Sequence, residues 1–410
     1  LGVAVIRPFI LQMMKTIGTQ FVMGQDIDSA LKRAQKIEDM GYRFSYDMLG
    51  EAARTAEDAS HYYTAYEQAI AAIGKVAHQD SPITNPGISV KLSALSPRFE
   101  YTQRERVLKE VPPLLLALAQ QAKQYNIGLT IDAEEADRLD LMLDIFEMVY
   151  TDASLDGWTG LGIVVQAYQK RASFVIDWLA DLAKRHGKRI MLRLVKGAYW
   201  DAEIKMSQVQ GFNNYPVFTR KNSTDVSYLA CAKQLLSQPQ CFYPQFGTHN
   251  AYSVAAIMEI AQQYNKAEFE FQCLHGMGRP LYDQIVDKTK FNLPCRIYAP
   301  VGTHKDLLGY LVRRLLENGA NSSFVNRLAD ESIPMEKIIA DPVAYIVGLE
   351  NKRHPKIPLP QAIYGEWLNS SGIDLSNTLQ LAQLKKAMET AAKETWTAGS
   401  IVNGKVYIDK

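Results

Sequence analysis

Residues 161–197, LGIVVQAYQKRASFVIDWLADLAKRHGKRIMLRLVKG, decide the fold. The segment opens on a β-rich apolar run (161–168) and passes through ASFVIDWLADLAKRH (172–186), where apolar residues recur at i, i+3 and i+4. It closes on a second β-rich run, RIMLRLVKG (189–197). A strand, an amphipathic helix and a strand in succession make a unit whose two strands lie parallel in one sheet. The same alternation extends in both directions. FSYDML (44–49), ISVKLS (88–93), GLTIDA (128–133), PQFGTHN (244–250), FEFQCLHG (269–276) and CRIYAPVG (295–302) bring the strands to eight. Helical stretches lie between them: RERVLKEVPPLLLALAQQAKQY, EEADRLDLMLDIFEMVY, DVSYLACAKQLL and SVAAIMEIAQQY. The class is α/β, and a (β/α)8 barrel is the expected fold, with a doubly wound open sheet as the alternative.

Around a barrel at 41–330 the sequence places a helical arm (1–40), whose clearest helix is QDIDSALKRAQKIEDMG, and a C-terminal extension (331–410). In the extension, DPVAYIVGLENKRHPKIPLPQAIYGEW is rich in proline and reads as extended. SNTLQLAQLKKAMETAAKETW reads as a helix and GKVYID as a short strand. A net charge of +1 leaves no electrostatic footprint for nucleic acid, and no lysine-rich run suggests a membrane anchor. Cys231, Cys241, Cys273 and Cys295 lack metal-binding spacing and read as reduced, cytoplasmic thiols. The N-terminal LGVAVIRPFILQMMKTIG is broken by Arg7, Pro8 and Lys15, so it fits neither a membrane span nor a signal peptide. Without an initiator Met, the chain reads as part of something longer.

Barrel enzymes carry their chemistry where strands end. Those ends supply Asp47 with Glu51, Lys91, Asp132, Gln166, Arg193 with Lys196, His249, His275 and Tyr298. No dinucleotide or nucleotide loop is present. His249 and His275 lie on neighbouring strands, but no third ligand of matching spacing accompanies them, so no metal is expected. Lys91 or Lys196 has the position of a Schiff-base amine. Asp132, one strand from Lys91, makes an ion pair the competing reading. In LGYLVRRLLENGA (308–320), Tyr310, Arg313, Arg314 and Glu317 share the face opposite an apolar stripe, a face that is either solvated or grips an anion.

Several stretches in order resemble the proline dehydrogenase domain of the bifunctional bacterial proline utilization A flavoenzymes. They are DMLGEAA (47–53), SVKLSALSPRFEY, TIDAEEADRLDLMLDIFE, RLVKGAYWDAEIK, YPVFTRK with TDVSYLACAKQLL, PQFGTHNAYSVAAI, FEFQCLHGMG and RIYAPVGTHKDLLGYLVRRLLENGANSSFVNR. The resemblance runs from about residue 20 to 370. It implies a distorted (β/α)8 barrel that binds FAD and oxidises L-proline to Δ1-pyrroline-5-carboxylate, moving a hydride from C5 to flavin N5. It further implies a quinone acceptor, peripheral contact with the inner face of the cell membrane, and an aldehyde dehydrogenase domain downstream. Some members also carry an N-terminal DNA-binding module; by the resemblance these residues are expected to hold neither that module nor the aldehyde dehydrogenase domain, and to bind no nucleic acid.

Carried over by motif, Gln166, Arg193, Val195, Lys196, Gly197, Tyr199, Trp200, Thr219, Arg220, Lys221, Thr248, His249, Asn250, Gln272 and Glu317 fall to the cofactor. Asn222 and Ser223 lie where the match departs. The resemblance gives the substrate carboxylate to Lys91, Arg313 and Arg314, and the ring walls to Tyr298, Tyr310, Leu194 and Tyr199. Asp132, Tyr298, Arg193 and Lys91 are the implied catalytic set, and Glu51 and Glu317 are to steady the arginines. A carbon-lyase barrel using Lys91 or Lys196, and a non-catalytic docking barrel, are the competing readings.

Overall fold

The computed structural model describes residues 20–264, 268–303, 307–319, 334, 336 and 339–408. Chain order runs α1 (Ile27–Glu38), β1 (Tyr42–Met48), α2 (Ala56–Val76), β2 (Gly87–Val90), α3 (Arg104–Gln124), β3 (Gly128–Ile131), α4 (Leu139–Tyr150) and β4 (Leu161–Gln166). It continues α5 (Ala172–His186), β5 (Ile190–Val195), α6 (Trp200–Val209), α7 (Lys221–Leu236), β6 (Phe242–Gly247), α8 (Ala251–Gln262) and β7 (Glu270–Leu274). Then come α9 (Arg279–Val286), β8 (Cys295–Val301) and α10 (Leu307–Gly319). The eight strands form a closed barrel in sequence order, so the open-sheet alternative fails. Closure is made by β8 lying parallel to β1 in register from Tyr42 opposite Cys295 to Met48 opposite Val301.

Side chains alternate across each strand, and the two faces differ sharply in character. The outer face is apolar: Phe44, Tyr46, Ile131, Ile163, Val165, Leu192, Leu194, Phe246 and Phe271 are buried within one continuous core shared with the helices. The inner face is polar, with Arg43, Ser45 and Asp47 on β1, Arg193 on β5, Gln245 on β6, Glu270 and Gln272 on β7 and Arg296 on β8. Bonds between strands that are not neighbours identify it, because only the lumen connects them.

Two sequence expectations change here. The helix expected from Glu134 begins at Leu139, and 134–138 form a loop with one tight turn. The Glu134 carboxylate is drawn away to bond Ser93 and Arg138. Within the stretch read as extended, Pro342–Val347 form a helix (α11). Asp341 caps it by accepting from Val343 N–H, and Pro342 occupies the first turn, where its missing N–H costs nothing. Further on, α12 (Thr378–Ala391) and the hairpin β9 (Ser400–Val402) and β10 (Lys405–Tyr407) agree with the expected helix and strand.

The extension returns to the barrel as a strap. Asn369 donates to the Gln208 carbonyl at 2.8 Å, Gly372 N–H to the Gly211 carbonyl at 3.3 Å, and the Tyr215 hydroxyl to the Pro358 carbonyl at 2.7 Å. Gly211 has φ +63°, and a Cβ there would lie 1.7 Å from the Ser370 carbonyl oxygen. Gly211→Ala therefore pairs a left-handed backbone, costing about 1 kcal/mol, with a backbone collision. Amides 369–372 should exchange with deuterium faster in this variant while those of β5 keep their protection; unchanged exchange at 369–372 refutes the docking.

Candidate active site

Arg193 is the hub of the lumen. It sits on β5, is 4% exposed, and its bonds cross to strands that do not touch β5. Its Nη1 donates to Asp132 Oδ1 at 2.6 Å and its Nε to Gln272 Oε1 at 2.6 Å. Its Nη2 donates to Ser89 at 2.9 Å and Ser45 at 3.3 Å. The guanidinium lies 5.0 Å from the centroid of the Tyr298 ring, within cation–π range.

Above it Lys91 stands between two carboxylates, 2.7 Å from Asp47 Oδ1 and 3.2 Å from Asp132 Oδ2. The Tyr298 hydroxyl donates to Asp132 Oδ2 at 2.6 Å and lies 3.3 Å from Lys91 Nζ. The two carboxyls are driven apart. Burial pushes both up. For Asp132, Lys91 and Arg193 outweigh burial and hold the group below the usual carboxylate range. For Asp47, Lys91 offsets burial only in part, the charge of Asp132 adds to it, and the group stays raised. Burial opposes the charge on Lys91, but Asp47, Tyr298 and Asp132 lift it well above the ordinary lysine value. A permanently protonated lysine is an anion holder rather than an amine nucleophile. Lys196 leans out of the lumen into an ion pair with Asp225 on α7, with its ammonium 5.6 Å from the Tyr228 ring. Lys91 therefore lacks the neutral amine that Schiff-base chemistry requires, and Lys196 is turned away from the lumen by its ion pair.

Helix α10 covers the mouth. Leu307, Tyr310 and Leu311 pack with Phe21 and Val22, and Leu49, Met277 and Tyr298 lie against that cluster. Arg313 grips Glu51 with both terminal nitrogens, at 2.5 and 2.8 Å, and its guanidinium lies 5.1 Å from the Tyr199 ring. Arg314 is 7% exposed and 5.3 Å from the Tyr310 ring. These arginines do not face solvent. The side chain of Glu317 lies outside the described residues. Among the described groups, Lys91, Arg313 and Arg314 bring three cationic side chains to the mouth, Lys91 held by Asp47 and Asp132 and Arg313 by Glu51. The mouth is electrostatically prepared for an anion.

The residues assigned to the cofactor line a second stretch of the rim. Val195, Lys196, Gly197, Tyr199 and Trp200 are half-exposed just above the buried part of β5. Gly197 has φ +136°, and a Cβ there would strike the Tyr168 ring at 2.5 Å. Gln166 bridges two strand exits, donating to the Glu134 carbonyl at 2.8 Å and accepting from Ala198 N–H at 3.2 Å. Trp200 is pinned to the Phe218 carbonyl at 2.8 Å. His249 Nε2 accepts from Leu274 N–H at 3.0 Å, and the Thr248 carbonyl accepts from the Tyr282 hydroxyl at 2.6 Å.

Others are placed differently from the expectation. Leu194 follows Arg193 and faces the outer core, so it does not wall the lumen. Asn250 caps α8 through Tyr252 and Ser253 N–H. Arg220 donates to the Arg353 and Asn351 carbonyls, and Thr219 Oγ1 accepts from His354 N–H, so both are engaged by the strap; Lys221 is exposed. His275 is buried and pushed down to about 4, first by burial and then by Arg33 and Arg279. Among the described residues no group of three or more acidic, His or Cys side chains could hold a metal.

The family described as proline dehydrogenase matches residues 30–327. The chain belongs to the proline dehydrogenase family. Proline dehydrogenase 1 of Bacillus subtilis is 30% identical over 309 residues, covering 75% of this chain and 88% of that protein. The bifunctional protein PutA of Salmonella typhimurium is 54% identical over 412 residues, 98% of this chain but 31% of that protein. A crystal structure of proline utilization A from Bradyrhizobium japonicum superposes with a TM-score of 0.85 at 49% identity, covering 95% of this chain and 40% of that one. The chain thus spans about a third of the length of its PutA relatives.

The barrel also holds groups that the strand-end pattern did not single out. Ser45, Ser89, Glu270 and Arg296 sit deeper in the strands, where an isolated polar residue reads as solvent-facing. Glu203 lies on α6, is 7% exposed, and accepts from Ala136 N–H at 2.7 Å, which ties the loop after β3 to the helix after β5. Burial pushes its carboxyl up to about 7, and Asp137 and Glu135 add to the rise against the Ala136 bond. A folded value above the unfolded one means that folding takes up a proton between about pH 4.5 and 7. Stability is therefore lost as pH rises through that window and stays lost above it. Glu203→Gln keeps the acceptor and should stabilise the protein by roughly 2 kcal/mol at pH 8, with no gain at pH 4. Equal melting-temperature shifts at the two pH values rule this out.

Proposed function

We propose that the chain oxidises L-proline to Δ1-pyrroline-5-carboxylate with FAD as its electron acceptor, the first step of proline breakdown toward glutamate. The observation that carries this reading is the gathering of three cationic side chains, Lys91, Arg313 and Arg314, at a mouth walled by Tyr298, Tyr310 and Tyr199. A small zwitterion suits such a site. Its carboxylate meets planar guanidinium forks and an ammonium, while its ring lies against aromatic faces.

The division of labour follows from the charges. Lys91 and Tyr298 remain protonated and Asp132 remains ionised, so the floor keeps a fixed pattern of donors and one acceptor. Proline reacts only after its ring nitrogen sheds a proton, because the nitrogen lone pair must form the C=N bond as C5 loses hydride. The arginines anchor the carboxylate and turn C5 away from it. Closure by α10 excludes water, which strengthens each of these interactions. FAD, when bound, supplies the two-electron acceptor for that hydride.

The residues present fit such a group. A half-exposed rim runs from Val195 to Trp200, Gly197 keeps its backbone open where a Cβ would collide, and a buried cation, Arg193, lies directly below. Arg193, Gln272, Gln166, Val195, Gly197, Lys196, Trp200 and His249 are the residues that would hold it. In the natural protein we place a quinone as the next electron acceptor, at the inner face of the membrane, and an aldehyde dehydrogenase domain downstream. No helix among the described residues is long and apolar enough to cross a membrane.

The purified holoprotein should show visible flavin bands that bleach when L-proline is added without air, and should form the pyrroline. Flavin that proline leaves oxidised refutes the reading. The ring-ether analogue of proline should bind competitively and stay unoxidised, since it has a carboxylate but no nitrogen lone pair. Arg314→Met removes a charged hydrogen-bonding partner from a dry site, a loss of about 2 to 5 kcal/mol. The proline KM should rise roughly 30-fold or more with FAD retained; a change within about twofold returns Arg314 to a structural role.

A further inference from the structure

The barrel floor holds a carboxylate that the proposed reaction does not use. Glu270, on β7, is fully buried. Six hydrogen bonds converge on it. Oε1 accepts from Arg296 Nε at 2.6 Å, Gln245 Nε2 at 2.8 Å and Gln272 Nε2 at 3.0 Å. Oε2 accepts from Arg296 Nη2 at 3.2 Å, and from Arg43 Nη1 and the Tyr243 hydroxyl, each at 3.3 Å. Burial would raise this carboxyl, but Arg296 and Arg43 outweigh it and hold the group ionised. A barrel floor needs no such charge, because Val, Ile and Leu fill it in most folds of this type.

The consequence lies one layer up. A carboxylate only accepts, so it fixes which end of the Gln272 amide faces down: the NH2 must point to Glu270. The Gln272 carbonyl must then point up, where it takes Arg193 Nε–H at 2.6 Å. With Nη1 on Asp132 and Nη2 on Ser89 and Ser45, that bond closes the last edge of the guanidinium and stops it turning in its own plane.

We propose that Glu270 is a positioning residue that acts through Gln272 to fix the plane of Arg193, and with it the positive field that stabilises the reduced flavin. This rests on the flavin-dependent reading given above. A purely structural Glu270, present only to neutralise Arg296 and Arg43, makes different predictions. Under that view, a folded Glu270→Gln protein keeps the wild-type flavin potential.

The test uses the FAD-loaded protein and reads the midpoint potential of the bound flavin, with circular dichroism and FAD content as controls. Glu270→Gln lets the Gln272 amide turn over and present a donor to Arg193. Gln272→Met removes the link and leaves Glu270 on its arginines. Each should weaken the preference for reduced over oxidised flavin by tenfold or more, a fall of about 30 mV for a two-electron couple. If Glu270→Gln fails to fold, Gln272→Met decides alone. A folded Glu270→Gln protein with wild-type potential overturns the proposal, as does a folded Gln272→Met protein with wild-type potential. A wild type that binds no flavin fails at the earlier step and overturns the functional reading together with this one.

Discussion

The 2.6 Å bond between Arg193 and Asp132 is the contact on which the rest of the barrel interior depends. Taking a guanidinium and a carboxylate out of water costs several kcal/mol for each ion, and removing one partner of such a pair costs about 3 to 5 kcal/mol because the other is stranded. The pair is kept because both ions have further partners inside the lumen. Asp132 also takes Lys91 and Tyr298, while Arg193 also takes Gln272, Ser89 and Ser45. The lumen is a connected polar lattice enclosed by an apolar shell. Stability comes from the shell, where the outer strand faces meet the helices; the lattice supplies orientation.

That division explains how the site is charged. On the floor Arg43 and Arg296 share Glu270, in the middle layer Arg193 and Lys91 meet Asp132 and Asp47, and under α10 two arginines lie side by side. Glu51 holds Arg313 by two parallel bonds, so that arginine is pre-set in direction, and Arg314 is buried against Tyr310. Two aromatic faces beneath two guanidinium groups make a surface that is cationic at one edge and apolar beside it. A ring carrying a carboxylate matches both halves.

Much of this was legible in the sequence. Period-two apolar runs alternating with period-3.6 runs specify the barrel, and strand-end position finds Lys91, Asp132, Gln166, Arg193 and Tyr298. The face of LVRRLLE holding both arginines is readable from helical spacing alone. What escaped has a common cause, because a strand has two faces and sequence does not say which is the lumen. Leu194 was placed inside although its neighbour Arg193 already occupied that face, and Lys196, two residues past Leu194 on the same face, turned outward to Asp225. Ser45, Ser89 and Glu270 look like ordinary polar strand residues until closure brings five strands around one arginine. Arg220 went astray for another reason: its competitor, the carbonyls of 351 and 353, is remote in sequence.

The reach of Arg193 also bears on how such a barrel can be assembled. Its partners Ser45, Ser89 and Asp132 belong to β1, β2 and β3, whereas Arg193 and Gln272 belong to β5 and β7. Neither β1–β4 nor β5–β8 alone can answer the charges it carries: the first half keeps Lys91 on its aspartates but takes Arg193 from Asp132 and Glu270 from Arg43, and the second strands Arg193. Many barrels resemble two fused half-barrels, each with its own apolar packing. This one has moved its internal bonding across the seam, so that the polar lattice forms only when the eighth strand closes on the first. Separately made halves of this chain are then poor candidates for independent folding, and the gene is poorly suited to recombination at the midpoint of the barrel.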